Sequence, residues 1–400
     1  MTDYDFTTIA RNVATRENIK DYKLEYQYSS KKGDGYTGTV RAVTIIGSNK
    51  KLEVVFKYSH RDPRVHENLP LREIYINEIQ FYEEIAPAFA SFQARYNVEQ
   101  PFNNTAKYYG CINEALNECL ALENLRCNNH DLWDRKKLMD SAHLELALKT
   151  FAKLHGTSMA MKKLDPELYM KITAAFGEFN IWADFFQKAD MYRQVSDIIQ
   201  SFNYFDLEKP YADKLEHFRV NIHDVMNAVV TYHDQYDVIV QGDCWSNNAM
   251  YQYHDMNDRS KPKNVTLLDW QIIASGSVIM DLSYFFYTIA EKSCMDNLDY
   301  FMKLYHDSMS DHLKAFGLDI EDVYPYEVFY KAWKKLSIFG FLMTFTLRKM
   351  MLIEAKDTFD FAEGLDDFML KLHLTKDQEE VYKEQMRDIV MHFVDQNMLE

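Results

Sequence analysis

The stretch VIVQGDCWSNNAMY, residues 238–251, decides how this chain is read. Three apolar residues run into an acid, a serine and two asparagines, and apolar residues resume at once. That pattern predicts a buried strand, a short polar loop and a second buried strand. The loop carries Asp243 and Asn248, five residues apart. This spacing lets a carboxylate face a substrate hydroxyl while an amide oxygen reaches back to a metal ion. Some 21 residues beyond Asn248, VTLLDW (265–270) reads as another buried strand, ending on Asp269. Taken singly, an Asp or Asn in a turn is ordinary turn chemistry, and Asp269 could be a plain cap.

Working outward, VVFKY (54–58) sets Lys57 among residues that read as buried. An unpaired ammonium there would cost on the order of several kcal/mol, so it needs a carboxylate or a phosphate. Glu78 is the natural partner, because it falls on the apolar stripe of Leu71, Ile74, Phe81, Ile85 and Phe89, where a lone charge is disfavoured. The alternative is that Lys57 snorkels to water from a strand end while Glu78 lies at the edge of the stripe. Phosphoryl transfer asks for this ordered set: a lysine for the phosphates, oxygen ligands for Mg²⁺, and a carboxylate to orient or deprotonate the attacking hydroxyl.

The surrounding pattern predicts an α+β protein of two lobes, residues 1–122 and 123–400. DYKLEYQYSS, YTGTVRAVTIIG and KLEVVFKYSH read as an antiparallel meander, AKYYGCI and ECLALENL as a second hairpin, and Leu71 to about Phe89 as the helix between them. Beyond Asp140 helical patterns dominate: Ala142–Met159, Pro166–Phe176, Ala212–Tyr232 and most of the chain after Leu282. Short strands interrupt them around Val238–Tyr251 and Val265–Leu268.

Composition narrows the function. The chain has 400 residues, 47% apolar, with 45 basic and 61 acidic side chains and a net charge of −16. Such a balance repels nucleic-acid backbones and anionic membranes, and no basic patch offsets it. MTDYDFTTIARNVATRENIK lacks an apolar core of signal-peptide length, so export is not expected. The longest apolar stretch, Leu336 to Leu347, has 12 residues, against the roughly 20 of a membrane span, and is expected to be a core helix. The five cysteines, Cys111, Cys119, Cys127, Cys244 and Cys294, form no C-x-x-C pair. They read as free thiols of a cytoplasmic protein.

The segments VIVQGDCWSNNAMY and LLDWQIIASGSVIMDLSYF, with LALENLRCNNHDLWDR and LALKTFAKLHGTSMA, resemble the ecdysteroid-kinase-like family, relatives of choline kinases and aminoglycoside phosphotransferases. The matching segments run from about Gly33 to Phe286. The resemblance implies a protein-kinase-like fold that uses ATP and Mg²⁺ to phosphorylate a small-molecule alcohol. It implies that Asp243 is the catalytic base, that Asn248 and Asp269 hold Mg²⁺, and that Lys57 contacts the phosphates while pairing with Glu78. The backbone between Ala121 and Leu125, through Glu123, would meet the adenine, and Gly33, Gly35 and Gly38 would turn over the phosphates. It further implies that Asp281, expected to open a helix, buttresses the catalytic loop.

Two departures stand out. Gln241 occupies the place where the family usually has a histidine before Gly-Asp, and in the kinase-like fold that histidine braces the loop. Gln271 stands where distant relatives carry an acid. His155 reads as a structural histidine. Phe176, Phe179, Trp182, Phe185 and Phe186 read most simply as core, the alternative being an apolar acceptor wall suited to a steroid-like alcohol. A catalytically silent nucleotide-binding module and a choline- or ethanolamine-type kinase are the competing readings. No D-F-G or A-P-E element points to a protein kinase.

Overall fold

The structure is a computed structural model that describes residues 5–29, 37–174, 176, 181–354, 359 and 361–399. Gly33, Gly35 and Phe179 lie outside the described residues.

Five strands form one antiparallel sheet: β1 (Lys23–Ser29), β2 (Gly38–Ile46), β3 (Lys51–Ser59), β4 (Tyr108–Ile112) and β5 (Cys119–Glu123). Their order is β1-β2-β3-β5-β4, so the meander and the second hairpin join through β3 and β5. Alternation along β3 sends Val54 and Phe56 to one face and Val55 and Lys57 to the other. A helix the sequence did not announce, Thr7–Arg16, covers the first face with Ile9, Ala10 and Val13. The opposite face receives the helix expected from Leu71.

That helix runs through Leu71–Gln80, a π turn at Phe81–Ile85 and a further segment, Ala86–Arg95. It is longer than the periodicity predicted. Pro87 has no N–H to continue the ladder, and the Ala86 N–H reaches back five residues to the Phe81 carbonyl. Phe81 stacks face to face on Trp270, with ring centroids 3.7 Å apart. The residue after Asp269 is thereby pressed onto the helix that carries Glu78.

The chain leaves the sheet at Glu123 and enters a mainly helical body. Asp140 caps the long helix Ser141–Leu164, accepting the His143 N–H at 3.0 Å. Two small sheets lie against this body: β6 (His130–Leu132) with β8 (Ala249–Asp255) and β9 (Asp258–Leu267), and β7 (Val238–Val240) with β10 (Ala274–Gly276). The quoted stretch is therefore β7, a turn of 3-10 helix at Ser246–Asn248, and β8. Pro166–Thr173 and Lys209–Val230 appear as helices close to the predicted bounds.

Ser277, not Asp281, caps the helix Val278–Ile289, through the Ile279 N–H. Asp281 lies in the first turn with its carboxylate free for other donors. The apolar stretch at 336–347 forms most of the core helix Ile338–Leu352, buried along its whole length. Gly340 lets that helix approach Val278–Ile289, since a Cβ there would sit 2.2 Å from the Ser283 carbonyl oxygen. No helix among the described residues is long and apolar enough to cross a membrane. The five cysteines form no disulfide with one another.

Candidate active site

Lys57 and Glu78 meet in the interior. The Lys57 Nζ lies 2.6 Å from Glu78 Oε2 and 2.8 Å from Asp269 Oδ1. The pairing reading of the two residues is the one the structure adopts, and Asp269 joins them. Burial works against the Lys57 ammonium, yet Asp269 and Glu78 together hold its pKa above the ordinary value. Burial pushes the Glu78 carboxyl the other way, upward, and the nearby Asp269 adds to the effect while Lys57 opposes it.

Asp243 faces this cluster from the turn between β7 and β8. Its Oδ2 accepts from Asn248 Nδ2 at 2.8 Å, and its Oδ1 accepts from the Tyr284 hydroxyl at 2.9 Å. Burial, then the charge of Asp269, raises its pKa to about 7, against the two donors that favour the anion. Because the Asn248 amide nitrogen is committed to Asp243, its carbonyl oxygen is left for another partner. The Leu268 N–H donates to the Asn248 backbone carbonyl at 2.8 Å, which fixes Asn248 beside Asp269.

The loop itself is braced from below. Asp281 accepts the N–H groups of Gln241 at 2.7 Å and Gly242 at 2.9 Å, and its Oδ2 also meets His155 Nε2 at 3.1 Å. His155 Nδ1 pairs with the Tyr305 hydroxyl at 2.8 Å. The expected structural role of His155 thus has a definite form: it orients the carboxylate that holds the turn. Gly242 is required, with φ at +85° and a Cβ position only 2.1 Å from the Ile272 carbonyl oxygen.

Gln241 braces the loop through its side-chain amide. Its Nε2 donates to the Leu268 and Asp269 carbonyls, both at 2.8 Å, and its Oε1 accepts the Asp243 N–H at 2.9 Å. One amide thereby ties the Asp243 turn to the Asp269 turn. Asp269 adopts a left-handed backbone, φ +58°, a conformation that costs an ordinary residue on the order of 1 kcal/mol and needs such support.

Lys57, Glu78, Asn248 and Asp269 line one cavity of about 430 Å³. Its other wall is apolar, from Val40, Val55, Leu122, Leu125 and Leu132, with Gly38 above. Glu123 lines it as well, while its carboxylate is engaged outside by Asn128 Nδ2 at 2.6 Å. Glu78, Asp243 and Asp269 face a single ammonium, a surplus of negative charge suited to a cation. No group of three or more His, Cys, Asp or Glu able to hold a metal exists among the described residues. Asn248 and Asp269 nevertheless offer two side-chain oxygens, the small protein share Mg²⁺ takes when phosphates complete its shell.

Sequence reasoning missed two contributors, Tyr284 and Thr37, and the bond that Trp182, read there as core or acceptor wall, makes to the loop. Tyr284 follows Asp281 by three residues on one helix, a spacing that turns both toward the same loop. Trp182, in the helix Ile181–Lys188, donates its indole N–H to the Gly242 carbonyl at 2.8 Å and meets Tyr284 edge to face. Thr37 reaches Gln271, 2.8 Å away. Nothing local marks the last two.

Residues 32–318 match the model of the ecdysteroid kinase-like family. No curated protein matches the chain. Among solved structures, it is similar to the GDP complex of wild-type aminoglycoside 2'-phosphotransferase-IIIa, at 11% identity over 97% of this chain and 99% of that one, TM-score 0.43. Spectinomycin phosphotransferase APH(9)-Ia with ADP and spectinomycin is similar at 9% identity over 98% of each chain, TM-score 0.42. A glucosamine kinase is similar at 11% identity over 98% of this chain and 85% of that one, TM-score 0.40.

Proposed function

The chain belongs to the ecdysteroid kinase-like family, of kinase-like phosphotransferases, and we propose that it transfers the terminal phosphoryl group of ATP to a hydroxyl of a small-molecule alcohol. The observation that carries this reading is the meeting of Lys57, Glu78, Asp243, Asn248 and Asp269, from distant segments, in one cluster at the cavity. The adenine lies between the apolar residues of the two lobes, taken as 1–122 and 123–400, against the backbone from Ala121 to Leu125. Lys57, held by Glu78, meets the phosphates, and Gly38 lets the backbone approach them. Mg²⁺, when bound through Asn248 and Asp269, offsets the charge that develops on the phosphates.

Asp243 receives or orients the proton of the attacking hydroxyl. Its raised pKa keeps it basic enough to matter near neutral pH. The Tyr284 and Asn248 donors fix the carboxylate, and Asp281 with Gln241 fixes the backbone beneath it. Beside the turn, the half-buried Trp182 and Phe185 present an aromatic surface backed by the buried Tyr284 and Phe339. That surface supports a lipophilic acceptor, an ecdysteroid or another apolar alcohol. The reading places the reaction in the cytoplasm, where free thiols persist.

The test is Asp243→Ala, assayed by mass spectrometry of a metabolite extract incubated with labelled ATP. Wild type yields a phosphorylated alcohol, and the variant loses about 10³-fold of that rate while keeping its melting temperature and its MgATP affinity. Turnover near wild type in Asp243→Ala refutes the assignment.

A further inference from the structure

The 3-10 turn Ser246–Asn248 sends its side chains in different directions, since such a helix has about three residues per turn. Ser246 Oγ turns to Met351 Sδ at 3.6 Å in the core, and Asn248 Nδ2 returns to Asp243 Oδ2 at 2.8 Å. Asn247, between them, is 8% exposed and lines the cavity. Neither end of its amide has a hydrogen-bond partner among the described residues. Every other polar side chain described in the cavity wall has one. Tyr28 bonds Asn124, Thr37 bonds Gln271, Arg126 bonds Asp131 and Ser29 bonds a backbone carbonyl, while Asn248, Lys57 and the acids are paired within the cluster or, for Glu123, with Asn128. Buried amides are ordinarily bonded, so this one is left for what fills the cavity. With both ends free, it offers a donor and an acceptor whichever way it is turned.

We propose that Asn247 binds the ribose of the nucleotide, its NH₂ group donating to one of the two neighbouring hydroxyl oxygens and its carbonyl oxygen accepting the hydrogen of the other. A diol both donates and accepts, which matches an amide with two free ends. Phosphate oxygens only accept, and would leave the Asn247 carbonyl facing an anion. The place agrees with the chemistry. Asn248, the next residue, belongs to the charged cluster, and Met250 pairs with Leu132 in the apolar wall. The chain from Asn247 to Met250 spans at most about 10 Å, so the amide is within reach of the junction between a base on that wall and phosphates at Lys57. This inference rests on the nucleotide reading of the cavity.

Isothermal titration calorimetry of the full chain tests it with two ligands, the magnesium complexes of a non-hydrolysable ATP analogue and of its 2′,3′-dideoxy form. Wild type binds the ribose form about tenfold more tightly, the weight of two hydrogen bonds between neutral groups. Asn247→Leu and Asn247→Ala bind the ribose form about tenfold more weakly than wild type and the dideoxy form unchanged, so neither variant distinguishes the two ligands. Unchanged dideoxy binding also shows that the cleft is intact. If wild type holds both forms equally, or a variant keeps the tenfold preference, Asn247 does not meet the ribose and the proposal falls. If both variants lose the two forms to the same extent, Asn247 serves the phosphates or the loop itself, and the proposal falls as well. If wild type binds neither form, the nucleotide reading of the cavity falls.

Discussion

Lys57 and the neighbouring pair Arg348 and Lys349 are all buried cations, exposed by 8%, 1% and 5%, but the chain accommodates them in opposite ways. Lys57 faces two carboxylates, and they keep its ammonium charged. Arg348 has no carboxylate within bonding reach among the described residues. Its guanidinium donates to the Tyr287 and Ala290 carbonyls at 3.0 and 3.1 Å, where the helix Val278–Ile289 ends. Lys349 donates to the Met369 carbonyl at 2.8 Å. A helix end offers only partial charge, so burial wins: it lowers the Arg348 pKa and pulls that of Lys349 down to about 8. The difference separates two uses of a buried cation. In the cleft, charge meets charge and leaves a negative surplus for an incoming cation; in the core, the cation closes a helix end or ties a neighbouring segment.

The comparison breaks most readily at Lys57. Lys57→Met leaves the buried Glu78, and the half-buried Asp269 beside it, without a counter-charge, and we expect a loss of about 3 kcal/mol in urea unfolding. Millimolar Mg²⁺ should restore part of it, more than it adds to wild type. A loss near zero would mean that the carboxylates do not depend on the ammonium. Arg348→Met is expected to cost less, about 1 kcal/mol in the same assay, because relief of an uncompensated charge offsets two lost bonds to carbonyls. A cost equal to that of Lys57→Met would erase the distinction.

The smallest effect sharpens it through pH. The folded-state pKa of Lys349, about 8, lies below its ordinary value of 10.5. The unfolded chain therefore binds the proton more readily, and the penalty is fully present below about pH 8. It is relieved as pH rises from there toward 10.5. Lys349→Met should be more stable than wild type by on the order of 1 kcal/mol at pH 7, and unfolding at pH 9.5 should show the gap narrowed. A gap that widens with pH would contradict the burial argument.

Much of the cleft was legible before any coordinates. Lys57 and Glu78 announced themselves because each breaks an apolar pattern, and a charge inside such a pattern must have a partner. Asp243, Asn248 and Asp269 announced themselves through spacing around short buried strands. The first helix, Thr7–Arg16, did not, because its few apolar residues become informative only once an open sheet face awaits them. Gln241 read as a departure, and its three bonds across the two turns show why an amide serves there.

What the sequence determined alone were the local facts: which segments alternate or repeat with helical period, and which polar residues sit where only pairing could retain them. Tertiary structure decided which partners those residues take. Tyr284 on Asp243, Trp182 on Gly242 and Thr37 on Gln271 join positions 41, 60 and 234 residues apart. Hydrogen bonds act over about 3 Å, so separations of that kind become contacts only when the packed core brings the segments together.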